Sequence, residues 1–543
     1  MLGGCADEGD LVGTDPGDPG EPGDPGAADA QGLVAGATIP GFCASYPPAN
    51  LASFKQSTRV FYGPDGFLQY ASDADKNRVP DFGYAGYHFG EKPLPTVPEV
   101  ATVGPGDGDD TARVQAAIDA VQARTPDANG FRGALRMLPG NYEISGTLKV
   151  TKSGVVLRGS GHGGNAAVDT YIKATGDNPH QRSVITLGSG GGGGWRSAVG
   201  GTQVNITTAF VPVGAKSFDV DHPERLAVGK RVIVKHPSTQ AWINALGGGG
   251  ASVAWTPGDI DISFVRRITA ISGTKVTLDV PVFNHLNKSL SQSVLYVISD
   301  SGWVKESGIE NLRIDIQSAG GTDENHAWNG VSVAGAEDAW VTDVTVLHFG
   351  YAGTKVANSD RVTVLRAHSF DPVGIVTGSR MYNFAVDDWA QQVLFADCES
   401  RGARHAFVSN GTSTVSGVVF LRGKASGGHT SSEGHRRWSM GLLYDSIVET
   451  GALSNEVVGL YNRGDYGTQH GWGSANSVLW RYDTGGKNAI LQKPPTAQNF
   501  AIGTIGPVTS HGPFAGGPGF VESLSNLAQP SLYEAQLCDR LKR

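Results

Sequence analysis

Beyond residue 305, short apolar segments return repeatedly at unequal intervals of 15 to 32 residues. Repetition at this period indicates a solenoid, in which each coil adds one layer and the loops between strands differ in length. A β-propeller fits less well, because it requires more even four-stranded blades. The segments are centred near Leu312, Val344, Val364, Leu394, Val419, Leu443, Val458, Leu479 and Ile502.

The residue usage favours strands and tight turns over helices. Glycine contributes 77 of the 543 residues, and only 17% of the side chains are charged. Such a composition is typical of a β-rich fold with many turns. Asn311, Asp343 and Asn358 stand beside the apolar segments, where they suit the turns between the sheets of a solenoid.

One short amphipathic helix is predicted ahead of the repeats. Asp110 or Thr111 can cap its first turn, and Val114, Ile118 and Val121 share one face. Strands are predicted to follow this helix.

Four motifs in this region carry a family resemblance. They are DFGYAGY at 81–87, GDGDDTARVQAAI at 106–118, LPGNY at 138–142 and GVVLRG at 154–159. Together they resemble the N-terminal region of pectate-lyase-superfamily proteins. This resemblance, over about residues 80–161, implies an all-β fold: a right-handed parallel β-helix whose open end is capped by the helix. It is less specific for substrate, because many activities share the fold.

The chain is predicted to have four segments. Residues 1–42 combine a lipobox-like start with an acidic Pro/Gly linker that cannot bury a core. Residues 43–161 form the N-terminal cap and first coils, and residues 162–300 form an inserted β-subdomain. Residues 301–543 form the main parallel β-helix and carry the candidate groove.

The cysteines bear on localisation. The start resembles the lipobox of bacterial lipoproteins, which implies a lipid anchor on Cys5, although the preceding parts of a signal peptide are missing. Cys43 and Cys538 either form a disulfide in an oxidising compartment or remain thiols. We expect an exported protein, either a surface or outer-membrane lipoprotein or a secreted one, that contacts a membrane only through such an anchor.

A basic, histidine-rich stretch supplies the candidate site. Residues 401–440 hold six Lys or Arg and one acid, Glu433, whereas the chain beyond residue 30 has 44 acids against 43 Lys and Arg. A local positive charge of this kind indicates anion binding. Neighbouring coils are about 4.8 Å apart, so residues one coil apart in sequence can lie side by side. The candidate residues on three successive coils are Arg404, His405, Asn410, His435, Arg436, Arg437, Trp438, Arg463, Tyr466, His470 and Trp472.

These residue types suit β-elimination on an acidic, uronate-containing polysaccharide. The reaction needs a group that neutralises the substrate carboxylate, a base that removes the neighbouring carbon's proton, and an acid that protonates the leaving oxygen. Histidine has a reference pKa of about 6.5 and can serve as base or acid. The assignment is Arg437 and Arg463 for carboxylates, His405 or His435 for the base, and His470 or Tyr466 for the acid.

The remaining candidates are assigned to substrate binding. Arg404, Asn410 and Arg436 supply polar contacts, and Trp438 and Trp472 can stack on sugar rings.

Residues 380–540 also resemble uncharacterised bacterial pectate-lyase-like proteins, through the segments RHAF, HRRWSMGLLYD and NRG…QHGWGSANSVLW. The carboxylate cluster that binds calcium in pectate lyases is not recognisable, so no cofactor is predicted. The predicted partner is an acidic polysaccharide, without nucleic acid, and the chain is expected to be a monomer.

Two other functions stay open. Hydrolysis of the polygalacturonase type needs paired carboxylates, for which Asp387 and Asp388 are candidates beside the element 469–471. Asp371, Asp397 and Asp445 are further candidates. A non-catalytic glycan-binding β-helix would use the same groove. In a third alternative these residues have only a structural role: the Arg and His side chains form hydrogen-bonded ladders, and both tryptophans cover core.

Overall fold

In a computed structural model, the structure describes residues 43–543 except 178, 179, 181 and 191. The lipobox-like start, Cys5 and the acidic linker lie outside these residues. The predicted parallel β-helix is confirmed, because three parallel sheets run along the molecule and most coils contribute one strand to each. All nine predicted apolar segments lie in strands of these sheets.

We number the three sheets in the order in which the chain visits them. The long strands Val304–Ile316 and Ala336–Leu347 bend at a corner and belong to both the first and the second sheet. The other strands of the first sheet are Glu99–Val103, Gly133–Met137, Val155–Arg158, Asp360–Leu365, Leu394–Ala396, Ser416–Leu421, Ser439–Asp445, Ser474–Ala475, Val478–Trp480, Phe500–Ile502 and Phe520–Glu522. The other strands of the second sheet are Gly140–Ile144, Thr170–Ala174, His368–Phe370, Glu399–Arg401, Lys424–Ser426 and Val448–Thr450.

The third sheet carries the candidate site. Its parallel strands are Leu148–Val150, Ser183–Leu187, Asn329–Ala334, Ala352–Ala357, Tyr382–Val386, His405–Ser409, Ser432–Gly434, Glu456–Leu460, Asn488–Lys493 and Val508–Thr509, and Gly517–Pro518 pairs antiparallel with its edge. Inward-facing residues such as Val386 and Leu460 join one continuous apolar core, so alternate side chains of this sheet face outwards.

The corner between the first and second sheets repeats one backbone conformation in successive coils. Asn311 and Asp343 have φ of 54° there, and the equivalent residues of later coils remain left-handed. Asn358 has φ of 45° at another turn, before the strand Asp360–Leu365. Asn and Asp tolerate this conformation better than most residues, which is why sequence reasoning could place turns at all three positions.

The predicted capping helix is Thr111–Gln122. Val114, Ile118 and Val121 are fully buried and belong to the same core as the strands of the β-helix. The helix therefore closes the apolar end of the solenoid. The other helical segments are Gln240–Ala245, Tyr466–Gln469 and Leu532–Lys542, with 3-10 turns at Cys43–Ser45, Leu51–Ser53, Tyr87–Gly90, Gly193–Arg196, Pro223–Arg225 and Gly247–Gly249.

The insertion leaves the β-helix after the strand Ser183–Leu187 and returns at Val304–Ile316. It contains a six-stranded antiparallel sheet and a two-stranded sheet. Its apolar residues share a second core with outward-facing residues of the first sheet, including Leu394 and Leu443. The insertion thus covers the first sheet and leaves the third sheet's outer face for other contacts. Its strands are Val204–Asn205, Phe210–Val211, Ser217–Asp219, Arg231–His236, Ile262–Ser272, Lys275–Leu278, Leu286–Asn287 and Val294–Val297.

The two ends of the described chain lie together. A disulfide joins Cys43 to Cys538, which lies in the C-terminal helix Leu532–Lys542. The strands Val60–Tyr62 and Leu68–Tyr70 form a hairpin beside this helix, and Leu68 N–H donates to Asp539. Within the described part of the chain, no helix combines the length and the apolar character needed to cross a membrane.

Candidate functional site

The third sheet brings the three candidate histidines into one cluster on its outer side. His405 begins the strand His405–Ser409, and His435 directly follows the strand Ser432–Gly434. His470 lies in the segment between the third-sheet strand Glu456–Leu460 and the first-sheet strand Ser474–Ala475, which we call the excursion. The ring centroids of His405 and His435 are 4.9 Å apart, and those of His435 and His470 are 5.0 Å apart.

A buried carboxylate, Glu433, lies at the centre of this cluster. It is fully buried and faces away from the β-helix core, one residue before the inward-facing Gly434. Ser431 Oγ and Tyr461 Oη donate to Glu433 Oε2 at 3.0 and 2.9 Å. His435 Nδ1 lies 2.7 Å from Glu433 Oε1, and His405 Nδ1, from the preceding coil, lies 3.5 Å from the same oxygen. The carboxylate therefore holds together groups from three successive coils.

The Arg463 guanidinium compensates the charge of Glu433, and the Arg404 guanidinium lies against His405. Arg463 Nη1 lies 3.0 Å from Glu433 Oε1 and donates to the carbonyl oxygen of His435 at 2.9 Å. Arg404 Nη1 lies 2.9 Å from His405 Nε2 and donates to the Tyr382 hydroxyl at 3.3 Å. The Tyr382 hydroxyl in turn lies 3.1 Å from His435 Nε2. In this network, the rings of His405 and His435 are each oriented by hydrogen-bonding neighbours.

Burial changes the acid–base character of all three histidines. His405, His435 and His470 are 1%, 4% and 2% exposed. Burial lowers the pKa of His405 and of His435 well below the usual range, and the Arg463 guanidinium lowers the latter further. Burial, again with Arg463, lowers the pKa of His470 to about 3. The rings are thus neutral near pH 7, and an imidazolium acid is unavailable to protonate a leaving oxygen.

A cavity of about 420 Å³ opens beside this network. Tyr461 and Arg463 form its inner wall, and the half-buried Tyr466 stands over it. The exposed His429 and the half-buried Glu456 lie at its outer wall. Its remaining lining residues are Thr430, Ser431, Ser454, Ile490, His511, Gly512 and Pro513. We refer to it as the Arg463 cavity.

Three further candidates lie near the cluster but outside the described lining of this cavity. Arg437 donates to the carbonyl oxygen of Thr468 and so anchors the excursion. Arg436 Nε donates to the Asn410 carbonyl oxygen at 2.7 Å, and Asn410 Nδ2 donates to the Tyr351 hydroxyl at 2.9 Å. The assignment of Arg437 to a substrate carboxylate is therefore not supported by its position.

The prediction that Trp438 and Trp472 stack on sugar rings is wrong. Trp438 is fully buried in the core between the first sheet and the insertion, where its Nε1 donates to Asn284 Oδ1 at 3.0 Å. Trp472 is 4% exposed and belongs to the same core. Trp438 lies before the strand Ser439–Asp445, and Trp472 lies at the end of the excursion. Both side chains pack against the insertion, so they cover core and do not face the cavity.

The acidic residues considered for hydrolysis do not form a pair. Asp388 accepts from the backbone N–H and hydroxyl of Thr412, both at 2.8 Å, whereas Asp387 accepts from Tyr351 and Asn410. The other three bind structural partners: Asp397 and Asp445 lie at the ends of first-sheet strands, and Asp371 follows a second-sheet strand. Asp371 pairs with Arg401, Asp397 pairs with Arg422, and Asp445 accepts from Ser531.

Within the part of the chain that the structure describes, two groups of residues have the donor types that a metal ion would need. One is His405, Glu433 and His435, and the other is His88, Glu306 and Asp338. In the first group, Arg404 Nη1 lies 2.9 Å from His405 Nε2, and Arg463 Nη1 lies 3.0 Å from Glu433 Oε1. A second cation there would be repelled at short range, so the guanidinium groups act as the resident cations of this network.

Sequence reasoning missed the residues that organise the site. The sequence indicates Glu433 only as the one acid of a basic stretch, and it assigns no role in the site to Tyr382 or Tyr461. The available signal was coil spacing, because Val408, Glu433 and Gly459 occupy equivalent positions on consecutive strands. A single carboxylate in such a column, between small or apolar neighbours, indicates a buried polar network.

Comparisons with known proteins give fold-level similarities of low identity. No family model matches the chain, and no curated protein sequence matches it. The tailspike protein gp49 from Pseudomonas phage LKA1 is 17% identical with a TM-score of 0.43, over 74% of this chain and 56% of that one. The Gp54 tailspike of Acinetobacter baumannii bacteriophage AP22, in complex with a capsular saccharide, is 10% identical with a TM-score of 0.27, over 76% and 71%. DFA-IIIase from Arthrobacter chlorophenolicus A6, in complex with GF2, is 10% identical with a TM-score of 0.31, over 75% and 69%.

Proposed function

We propose that this chain binds an acidic polysaccharide and cleaves it by β-elimination in the Arg463 cavity. The observation that carries the proposal is the position of Arg463. Its guanidinium lies against the buried Glu433 carboxylate and also forms part of the cavity wall. A uronate entering the cavity would meet a cation that is already fixed in place, which is the arrangement that stabilises developing negative charge.

The same cavity supplies groups for proton transfer. Tyr466 and His429 both line it, and the Arg463 guanidinium lies 5.6 Å from the centre of the Tyr466 ring. In the proposed reaction, one of these groups removes the proton from the carbon next to the carboxylate. The electron pair forms a carbon–carbon double bond, and the glycosidic oxygen leaves with a proton from the other group. His435, which lies against the Arg463 guanidinium, then positions Arg463, and none of the three buried histidines takes a proton.

The acidic residues of the cavity favour elimination over hydrolysis. Glu456 is the single carboxylate among the described lining residues. Glu433 is held by Ser431, Tyr461, His435 and Arg463 and is fully buried, so it is not available as a nucleophile. Hydrolysis of the usual kind requires two carboxylic acids that flank the bond.

A row of aromatic ring contacts runs along the third sheet, in which Tyr351 and Tyr382 are buried and support the partly exposed Trp328. Ring contacts join Trp328 to Tyr351 at 6.4 Å, Tyr351 to Tyr382 at 5.1 Å, and Tyr382 to His435 at 5.3 Å. Trp328 is half-buried and offers part of its ring to solvent. A polymer bound across several coils would run from Trp328 towards the cavity.

We further propose that the protein works outside the cell as a monomer and without a cofactor.

The test is a panel of uronate polymers incubated with the wild-type chain and two variants. The ultraviolet absorbance of unsaturated uronate products reports elimination, and a reducing-end assay reports any cleavage. We expect Tyr466→Phe to lower turnover by about 100-fold, within the range for general acid–base groups. Arg463→Gln should lower kcat/KM by about 100-fold or more, because it removes the preformed charge stabilisation.

Arg401→Gln is the matched control, because Arg401 is exposed on the second sheet and pairs with Asp371 away from the cavity. It should keep wild-type activity. Reducing ends without the ultraviolet band would establish hydrolysis and reject the proposal. Full activity of Tyr466→Phe and Arg463→Gln would show that cleavage occurs elsewhere.

A further inference from the structure

A second cavity of about 650 Å³ lies where the insertion meets the last coils of the β-helix. Phe210, His236 and Trp242 line it from the insertion, and Lys493 and Thr496 line it from the coils. Asp75 joins from the N-terminal segment. The volume falls within the range of about 300–1,000 Å³ that is typical of small-molecule sites. It is separate from the Arg463 cavity, with which it shares no lining residue.

His236 places a buried polar atom, its Nε2, in the wall of this cavity. The side chain is 1% exposed, and its Nδ1 lies 2.7 Å from Ser293 Oγ. Its Nε2 has no hydrogen-bond partner within the residues that the structure describes. A buried polar atom of this kind carries a free-energy cost until a ligand or water meets it. A hydroxyl group can donate or accept, so it satisfies Nε2 in either tautomer.

The charges around the cavity compensate one another. Lys493 Nζ lies 2.8 Å from Asp75 Oδ2, and these are the only acidic or basic groups other than histidine among its described lining residues. Burial lowers the pKa of both His236 and His285 to about 4, so both imidazoles are neutral near pH 7. The wall therefore favours an uncharged ligand over the anionic one proposed for the Arg463 cavity.

Aromatic and amide groups give the wall the other properties of a sugar site. The half-buried Phe210 ring lies 4.7 Å from the His285 ring and 5.0 Å from the Lys76 ammonium, and the rest of its surface faces the cavity, which Trp242 closes on the inner side. Asn287 is half-buried at the wall, where its Oδ1 accepts from the backbone N–H and the hydroxyl of Ser289, and its Nδ2 group is the donor that it offers to a ligand. Flat apolar faces next to a few hydrogen-bonding groups suit the C–H face and the hydroxyls of a pyranose ring.

We propose that this second cavity binds a neutral saccharide unit of one or two rings, independently of the Arg463 cavity. The ligand's hydroxyl group meets His236 Nε2, and one face of its ring packs on Phe210. Because the walls come from the insertion, the last coils and the N-terminal segment, the bound sugar holds these three parts together. Binding to the folded chain alone also raises its thermal stability.

The experiment uses isothermal titration calorimetry on the full chain with neutral probes: glucose, galactose, mannose, N-acetylglucosamine, lactose and maltose. It is run in the Arg463→Gln background, so that sugar binding at the other cavity does not contribute. We expect heat from at least one probe. His236→Phe keeps the ring shape but removes the Nε2 contact, and should weaken binding about tenfold. Phe210→Ala should weaken it by a similar factor and does not alter a fully buried residue.

His222→Phe is the matched control, because His222 belongs to the same insertion and is exposed away from the cavity. It should bind as the background does. Absence of heat with all six probes would overturn the proposal, as would unchanged affinity in Phe210→Ala. Glucuronate binding as tightly as glucose would overturn its specificity for uncharged sugars. Loss of activity at the Arg463 cavity has no bearing on these outcomes, so the two proposals fail separately.

Discussion

At the scale of single residues, surroundings decide what a histidine can do. The reference pKa predicts that His470 can serve as an acid near neutral pH. In the folded chain it is 2% exposed and lies beside Arg463, which together lower its pKa to about 3. Its Nδ1 is buried without a hydrogen-bond partner among the described residues. The residue therefore contributes shape and polarity to the network, and its protonation is costly.

The low pKa of His470 predicts a specific pH dependence of stability. Between pH 6.5 and about 3 the unfolded chain binds a proton at His470 and the folded chain does not, so acidification destabilises the fold. The contribution is about 1.4 kcal/mol per pH unit. His470→Asn removes it. Urea unfolding at pH 6.5 and pH 5 should show wild type losing about 2 kcal/mol more than the variant.

The control for this measurement is His222→Asn, since His222 is exposed on the insertion. Its loss of stability between the two pH values should match that of wild type. Equal losses in wild type and His470→Asn would mean that the folded chain protonates His470 as easily as the unfolded chain does.

At the scale of elements, ion pairs at the corners link neighbouring coils. Arg366 pairs with Asp343 at 2.7 Å, and Arg422 pairs with Asp397 at 2.7 Å, each across adjacent coils. The alternative in which basic residues form ladders with a purely structural role therefore applies to this corner. It does not apply in the same way to the third sheet, where Arg404 and Arg463 converge on the network around Glu433.

Arg361 provides the sharpest test of this structural role. Its side chain is 7% exposed, and it pairs with Asp338 and Asp360, each at 2.8 Å, and with Glu337. Arg361→Met leaves these buried carboxylates partly uncompensated and should destabilise the fold by about 3–5 kcal/mol. Arg401→Met breaks a pair whose side chains are 51% and 41% exposed and should cost less than about 1 kcal/mol. Chemical denaturation of both variants measures the difference, and equal losses would contradict it.

At the scale of the whole molecule, the features that repeat in each coil could be predicted from the sequence, whereas the features that depend on contacts between distant segments could not. The apolar segments and the turn residues Asn311 and Asp343 are local signals that each coil repeats, so the β-helix could be predicted. Coil spacing also predicted that His405 and His435 would be neighbours. The sequence could not decide between sugar stacking and burial for Trp438, because its burial depends on Asn284 in the insertion, 154 residues away in sequence. The Arg463 cavity likewise depends on the excursion after residue 460.

The disulfide joins two residues, Cys43 and Cys538, that are 495 positions apart in sequence. It ties the N-terminal segment to the last helix, which also contacts Phe82 through Gln536. A crosslink stabilises mainly by restricting the unfolded chain, typically by about 2–4 kcal/mol. Cys538→Ser should lower the free energy of unfolding by that amount.

Reductant should destabilise the wild-type chain to the same extent and leave Cys538→Ser unchanged, because the buried Cys398 is the one free cysteine among the described residues. Denaturation with and without reductant therefore isolates this single bond. An equal response of both proteins would show that the two cysteines are not paired in solution. A pair that persists under air but is lost in reductant would instead favour an oxidising compartment as the place where this chain works.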